Sequence, residues 1–266
     1  MNLQSKTVVL TGACGGIGAS IAGQLASAGA RLILVGRDQV ALERLRSVLA
    51  QAFAPHIIHV ANLRQAPERE ALARLCAEVG VDVLINNAGV GEFNLLENSN
   101  GEAITDLLDL NLNVPIQLTR LLLPTLKTRR SAAVINIGSA LGSIGYPGYS
   151  VYGASKYGLR GFSEALRREL SDTVVRVMLF APRATKTSLN QDRVVAMNDA
   201  LGTAMDAPEA VAKALLKRIQ SNRWNACVFG WPERFYAFLN GLNPRITDGS
   251  IEKQLPHIKR YASEEI

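Results

Sequence analysis

Tyr152 and Lys156 stand four residues apart, a spacing that puts both side chains on one face of a helix. A free tyrosine titrates near pH ~10 and is a poor base at neutral pH, but a neighbouring ammonium stabilises the phenolate and lowers that value. Such a pair can deliver a proton to a carbonyl oxygen, or take one from an alcohol, as hydride moves at the adjoining carbon. Taken alone, a tyrosine and a lysine on one helix also describe an ordinary solvent-facing surface. The chemistry therefore depends on what the rest of the chain assembles around them.

A nucleotide cradle is the first such element. A strand-like run ends in Thr11-Gly12-Ala13-Cys14-Gly15-Gly16-Ile17-Gly18 and passes into the helical stretch Ala19–Ala28. Glycines between a strand and a helix allow a tight turn and close backbone approach to a pyrophosphate, which the helix N-terminus attracts. Cys14 reads as a small side chain in that loop, with a redox switch as the lesser alternative.

The second strand ends at Val35-Gly36-Arg37-Asp38. A site built for NAD carries a carboxylate here for the ribose 2′-hydroxyl; this chain has Gly36 and then Arg37. An arginine fork suits a 2′-phosphate, and Asp38 reads better as the N-cap of the next helix. The expected cofactor is NADP(H).

Short apolar runs alternate with helical patterns along the chain. The expected strands are Thr7–Thr11, Arg31–Val35, His56–Val60, Val81–Asn86, Ala132–Gly138, Val174–Phe180 and Ala226–Phe229, with a helix over Pro67–Val79 among the intervening elements. Continuous apolar strands separated by helices imply a parallel sheet covered on both faces. The stretch Glu102–Arg130 is apolar on nearly every side of a helix that Pro115 would kink, so it needs a second partner, such as another subunit.

In order and spacing, these motifs resemble the short-chain dehydrogenase/reductase family over about residues 5–187. The resemblance rests on Thr11-Gly12-x-x-x-Gly16-x-Gly18, on Asn86-Asn87-Ala88-Gly89 after the fourth strand, on Asn111, on Ser139 at the end of the fifth strand, and on Tyr152-Gly153-Ala154-Ser155-Lys156. It implies an α/β fold: a single Rossmann-type, doubly wound parallel sheet with helices on both faces over residues 1–230. A C-terminal helical extension would occupy residues 231–266. It also implies a catalytic tetrad of Asn111, Ser139, Tyr152 and Lys156. Tyr152 would be the proton donor, Ser139 a hydrogen bond to the same substrate oxygen, Lys156 a contact to the nicotinamide ribose, and Asn111 the anchor of a proton-relaying water. The cofactor would touch Thr11, Gly12, Cys14, Gly15, Gly16, Ile17 and Gly18 of the first loop and Arg37 of the second strand. Further contacts fall on Asn62 and Leu63 after the third strand, on Asn87, Ala88 and Gly89 after the fourth, and on Tyr152 and Lys156. Pro182, Arg183 and Thr187 would close the site after the sixth strand. Two positions depart from the family pattern: Asn62 replaces a common aspartate, and Arg183 follows Pro182 where glycine is usual. Arg183 is expected either to reach a pyrophosphate or anionic substrate group or to point into solvent.

The bulk properties agree with this reading. Of 266 residues, 48% are hydrophobic and 20% charged, and 29 lysines and arginines against 23 acidic residues leave a net charge of +6. That excess favours anionic partners such as a phosphorylated cofactor, an acidic substrate or a lipid surface, and equally describes a mildly basic soluble protein. No motif beyond net charge points to nucleic acid. Cys14, Cys76 and Cys227 are odd in number and scattered, with neither disulfide nor metal spacing. Met1–Lys6 carries no signal-peptide core, and no apolar stretch is long enough to span a bilayer, so a cytoplasmic protein is expected. Two other function classes were weighed. A hydrolase would use Gly148-Tyr149-Ser150-Val151-Tyr152, but the last position is not glycine and only His56, His59 and His257 are available. A non-catalytic NADP-sensing protein would need the glycines but not the tetrad.

Substrate choice should lie in Thr187–Met205, which mixes apolar and charged residues without naming a ligand. Farther on, Phe235, Phe238, Leu239 and Leu242 recur at helical spacing after Pro232. Ile251, Leu255 and Ile258 follow near Lys253, Lys259 and Arg260, with Pro256 interrupting. Three readings of this extension stay open: packing on its own domain or a neighbouring subunit, a lid over an apolar pocket, and contact with a membrane surface. The second and third favour a hydrophobic carbonyl substrate, such as an acyl chain or a polycyclic ketone. The partners expected are that small molecule and a second or further copies in a homodimer or homotetramer.

Overall fold

The computed structural model describes residues 1–187 and 190–263. Its strands are β1 (Thr7–Thr11), β2 (Arg31–Gly36), β3 (Ile57–Val60), β4 (Val83–Asn86), β5 (Ala132–Ile137), β6 (Val175–Pro182) and β7 (Cys227–Phe229). They pair in parallel in the order β3-β2-β1-β4-β5-β6-β7, the doubly wound arrangement expected. The order reverses between β1 and β4, and a ligand crevice opens beyond the carboxyl ends of the strands at such a point.

The strands read as unbroken apolar runs because both faces of the sheet are covered. Val8, Leu10, Leu32, Leu34, Ile135 and Phe180 face one side, where α1 (Gly16–Ser27) and α8 (Pro208–Gln220) supply Ile21, Leu25, Val211, Leu215 and Ile219. Val9, Ile33, Val35, Leu84 and Val134 face the other, against α3 (Ala66–Val79), α5 (Val114–Lys127) and α6 (Ser150–Glu169) through Leu72, Leu118, Leu122 and Leu166. At the amino ends of the strands, buried Asp82 accepts from Thr7 N (3.0 Å), Lys6 Nζ (3.0 Å) and Arg129 Nε (3.1 Å), tying β1 to the β4 entry and the α5 exit. The opposite end is thus left for function.

Two expectations need correcting. Glu102–Arg130 is not one kinked helix. It is α4 (Gly101–Leu108), a π-helical turn over Asp109–Asn113, and α5. The run stays helical from Gly101 to Lys127, and its irregularity is the widened turn that directly precedes Pro115. Leu107, Leu118, Leu122 and Leu126 are buried, while Leu108, Leu110, Ile116 and Leu121 are only half-covered. The second stretch of the extension, α10 (Arg245–Ser263), runs unbroken through Pro256. The carbonyl that Pro256 leaves without an N–H belongs to exposed Glu252, where water can satisfy it. The remaining helices are α2 (Gln39–Val48), α7 (Asp192–Ala200) and α9 (Glu233–Leu242), and no described helix is long and apolar enough to cross a membrane.

Candidate active site

The glycine loop is shaped by close approach. Gly12 has φ +62°, a left-handed conformation that favours glycine, and a Cβ there would stand 2.8 Å from Ala88 Cα. At Gly18 a Cβ would lie 2.1 Å from the Gly12 carbonyl oxygen, and at Gly16 2.8 Å from a Thr187 methyl. Thr11 and Asn87 knit this loop to β4. Thr11 Oγ1 accepts from the N–H of Asn87 and of Ala88 (both 3.0 Å), and Asn87 Nδ2 donates to the carbonyls of Thr11 and Gly12 (both 3.0 Å). Gly15 stands at the N-cap of α1 and Ile17 and Gly18 lie in its first turn. A cleft of about 840 Å³ opens here, within the size range of small-molecule sites. Gly12, Cys14, Gly15, Arg37, Asn62, Leu63, Ala88 and Gly89 all line it. At Gly12, Gly16 and Gly18 no side chain fits, so the backbone of the loop stays close to the cleft, as a dinucleotide pyrophosphate requires.

Arg37 is exposed on the cleft wall, and its side chain has no hydrogen-bond or ion-pair partner among the described residues. Asp38 accepts from Ala41 N (3.0 Å) and caps α2, as its position suggests. The Cys14 thiol is pushed up by partial burial and by the Asp38 carboxylate, which opposes thiolate chemistry. At the far rim Arg64 pairs with Asp106 of α4, and both border the cleft. Leu63 is also buried in the core, while its carbonyl accepts from Arg69 (2.7 Å).

The four tetrad positions converge from three elements. Tyr152 and Lys156 project from α6, with the Lys156 ammonium 5.7 Å from the Tyr152 ring centroid. Ser139 caps the 3₁₀ turn Ala140–Gly142 that leaves β5, its Oγ accepting from Leu141 N (3.2 Å). Asn111 sits in the π-helical turn, 1% exposed. Its Oδ1 accepts from Val90 N (2.9 Å), and its Nδ2 donates to the Val90 carbonyl (2.8 Å) and to Ser155 Oγ (3.3 Å). The wide turn thereby aims one amide across the segment after β4 and onto α6.

Electrostatics correct one expectation. Burial pushes the Tyr152 phenol up, and its hydrogen bond with Ser139 offsets only part of that rise, so the group is a phenol at neutral pH rather than a ready phenolate. Burial also pulls Lys156 down from 10.5 to about 8, with Nζ donating to the Ile137 carbonyl at 3.2 Å. The site holds a protonated acid beside an amine that is still charged at neutral pH.

The short chain dehydrogenase family model matches residues 6–198. The chain belongs to the short-chain dehydrogenase/reductase family. Similar proteins include ketoacyl reductase HetN of Nostoc, 34% identical over 222 residues (82% of this chain, 77% of the relative), and 3-oxoacyl-(acyl-carrier-protein) reductase FabG of Vibrio cholerae, 32% identical over 207 residues (77% and 82%). Dehydrogenase/reductase SDR family member 7B of Xenopus tropicalis is 30% identical over 263 residues, covering 92% of this chain and 84% of the relative. A short-chain dehydrogenase from Streptomyces avermitilis superposes with TM-score 0.79 at 25% identity, over 94% of this chain and 98% of that one. Like the family, this short-chain dehydrogenase/reductase is an oxidoreductase that uses a nicotinamide cofactor on carbonyl or alcohol groups.

In this member protein groups take the guanidinium of Arg183, which is largely covered from solvent. It forms a two-point ion pair with Asp206, Nε to Oδ2 at 2.9 Å and Nη2 to Oδ1 at 2.8 Å, and its Nη1 donates to the Trp231 carbonyl (2.6 Å) and to Glu233 (3.3 Å). Pro182 ends β6 in register with Phe229, and Thr187 abuts Gly16. Of the segment Thr187–Met205, Ser188 and Leu189 lie outside the described residues, as do residues 264–266 of the extension. The histidines weighed for a hydrolase are placed otherwise: His56 Nδ1 accepts from Leu32 N (3.1 Å) and its Nε2 meets the Ala50 carbonyl (2.9 Å), tying β2 to the β3 entry.

The aromatic packing beside Tyr152 escapes motif reading. Tyr149 stands edge-on to Tyr152 with centroids 5.9 Å apart, and Phe93 packs on Tyr149 at 5.1 Å. Val194 and Met197 of α7 and Ile258 and Ala262 of α10 pack with Phe93 into a buried apolar cluster against which Tyr149 rests. Arg193 Nη2 donates to the Phe93 carbonyl (2.6 Å), and Tyr146 donates to Gln254 (2.8 Å). A sequence signal existed: Tyr146, Tyr149 and Tyr152 recur every third residue.

Proposed function

We propose that this protein is an NADP(H)-dependent reductase of hydrophobic ketones, run in reverse on the corresponding secondary alcohols. One observation carries the cofactor choice: Arg37 lines the cleft without a side-chain partner among the described residues, while Asp38, the next residue, is occupied as a helix cap. Thr11, Gly12, Cys14, Gly15, Gly16, Ile17, Gly18, Asn62, Leu63, Asn87, Ala88 and Gly89 would hold the dinucleotide. Thr187 and Pro182, with the backbone of Arg183, would border its nicotinamide end. When bound, the nicotinamide supplies or accepts the hydride.

The chain's own groups handle the proton. Tyr152, kept protonated by burial, gives its proton to the carbonyl oxygen as negative charge develops there. Ser139 hydrogen-bonds the same oxygen and is already oriented by the turn it caps. Lys156 brings positive charge to the phenolate left behind and would contact the ribose. Asn111, fixed to Val90 and Ser155, would position the water through which Tyr152 is reprotonated.

For the substrate, the Tyr149 ring edge-on to Tyr152, backed by a buried apolar cluster, favours a hydrophobic group beside the reacting carbon. The names of the ketoacyl and 3-oxoacyl reductases to which the chain is similar make a 3-oxoacyl chain the first compound to try. The half-covered leucines of α4 and α5 support assembly into a homodimer or homotetramer. The test is oxidation of NADPH and NADH with 3-oxoacyl thioesters of increasing length, a small ketone and a polycyclic ketone. NADPH turnover that improves with chain length is expected. No turnover of any carbonyl with either cofactor rejects the reading, and equal use of both cofactors rejects the role of Arg37.

A further inference from the structure

An amphipathic helix on a folded domain normally turns its apolar stripe inward. α9 does the reverse. The side that meets the domain is small and polar: Ala237 is buried, Asn240 Nδ2 donates to the Ser143 carbonyl (2.9 Å), Asn240 Oδ1 accepts from Thr247 Oγ1 (2.7 Å), and Glu233 pairs with Arg183. The outer side carries Phe235, Phe238 and Leu242, with Trp231 just ahead of the helix, and these are 44, 62, 65 and 70% exposed. Their spacing of three and four residues makes one continuous stripe. The rings of Trp231 and Phe235 lie 5.6 Å apart, and Ile246 at the start of α10 extends the patch. A cluster of this kind marks an interaction surface rather than scattered exposed residues.

Charge identifies the partner. From Arg234 to Thr247 the only charged side chains are Arg234 and Arg245. Both are exposed, and neither side chain has a hydrogen-bond or ion-pair partner among the described residues. Glu233, which precedes them, is occupied by Arg183, and the next acid, exposed Asp248, lies one turn past Arg245 in α10. A second copy docked here about a two-fold axis would bring these arginines near their own counterparts. Tryptophan, phenylalanine and leucine flanked by arginine on a single convex helix instead match the boundary between acyl chains and anionic headgroups.

We propose that the outer face of α9 docks this protein onto an anionic lipid surface, with Trp231, Phe235, Phe238 and Leu242 entering the boundary and Arg234 and Arg245 meeting the headgroups. The inner side of the same helix bonds Ser143, in the segment that begins at Ser139, so docking would hold the active-site turn about one helix diameter, ~10 Å, from the lipid. The proposal does not depend on the cofactor or substrate.

The test uses the full chain with vesicles of phosphatidylcholine alone and with phosphatidylglycerol added. In a Trp224→Phe protein, Trp231 is the sole tryptophan, and its emission should shift to the blue on anionic vesicles and less on neutral ones. The double variant Phe235→Ser/Phe238→Ser should partition about tenfold or more weakly. Arg234→Glu/Arg245→Glu should lose the preference for anionic vesicles, and added salt should do the same to the parent. Circular dichroism checks that each variant folds. Failure of the folded parent to associate with either vesicle overturns the proposal, as does equal partitioning of the parent and both variants. Loss of an oligomer in the phenylalanine variant, with no vesicle binding by the parent, would assign the face to a protein partner and equally overturn it.

Discussion

Replacing Lys156 with methionine should make the protein more stable at neutral pH while abolishing its activity. Lys156 is 7% exposed, and burial holds its amine at about 8 rather than 10.5. Keeping it charged at pH 7 in the folded chain therefore costs roughly 3 kcal/mol relative to the unfolded chain. Methionine fills a similar volume without charge but leaves the Ile137 carbonyl without its 3.2 Å donor, an opposing loss of about 1 kcal/mol. The net gain is about 2 kcal/mol. With unfolding entropy near ~2.1 cal/mol/K per residue over 266 residues, that raises Tm by about 3–4 °C.

The pH dependence separates this account from simple repacking. For a base whose folded value is depressed, the unfolded chain binds more protons between the folded and unfolded values, so the parent gains stability as pH rises through that window. The penalty is complete below about 8 and disappears above 10.5, so the advantage of Lys156→Met should be full at pH 7 and gone near pH 10.5. Thermal or urea unfolding of the parent and variant at both pH values measures the difference directly. A variant less stable than the parent at pH 7, or a difference unchanged between the two pH values, refutes the reasoning.

Tyr152→Phe should fold and bind NADPH, as cofactor fluorescence would report, but lose about a hundredfold or more in turnover; near-parental rates would remove the phenol from the mechanism. Arg37→Ala should weaken NADPH binding by about ten- to a hundredfold, the equivalent of a charge-assisted contact worth roughly 1.5–3 kcal/mol, and leave NADH unchanged. Titration showing equal losses for both cofactors would contradict that role. Arg183→Gly should cost about 1–3 kcal/mol of stability and open residues 231–263 to limited proteolysis, with the NADPH dissociation constant unchanged. A selective rise in that constant would restore the cofactor-contact reading of Arg183. Sedimentation velocity at micromolar concentration should show a dimer or larger assembly, and Leu108→Glu/Ile116→Glu on the α4–α5 face should yield monomer.

Much of the framework is legible in the sequence because parallel strands buried on both faces must be apolar throughout. The runs expected at Thr7–Thr11 and Arg31–Val35 differ from β1 and β2 by no more than one residue. The glycine loop and the Asp38 cap are equally local, since each is dictated by backbone groups a few residues away. The π-helical turn at Asn111 is not local in that sense. Its neighbours are uniformly apolar, so periodicity carries no trace of one extra residue, and only the tertiary bonds of Asn111 to Val90 and Ser155 show why the turn is there. Proline misled twice for a related reason. Pro115 follows a widened helical turn and Pro256 lies on an exposed helix side, and neither the turn nor the exposure is written in the residue type itself.

Arg183 shows a deeper limit. After Pro182 it reads either as a cation for an anionic ligand or as a solvent-facing side chain, because its partners lie 23 and 50 positions away. Asp206 takes two of its donors just before α8, and the Trp231 carbonyl and Glu233 take the third at the entry to α9. Gly230 completes the set: its φ is +112°, and a Cβ there would stand 2.5 Å from Arg183 Cδ, so the long side chain passes only because that residue has none. The departure from the family's usual glycine after Pro182 and the segment beyond β7 are thus one feature. The cation removed from the cofactor side becomes the pin that holds the start of α9 to the end of β6. That pin fixes the entry of α9, and Asn240 on Ser143 holds its inner side, so the helix is attached without using its apolar stripe. Polar attachment is what leaves Phe235, Phe238 and Leu242 facing outward, and a chain that keeps three large apolar side chains exposed at that cost in solubility has a use for them in contact with something else.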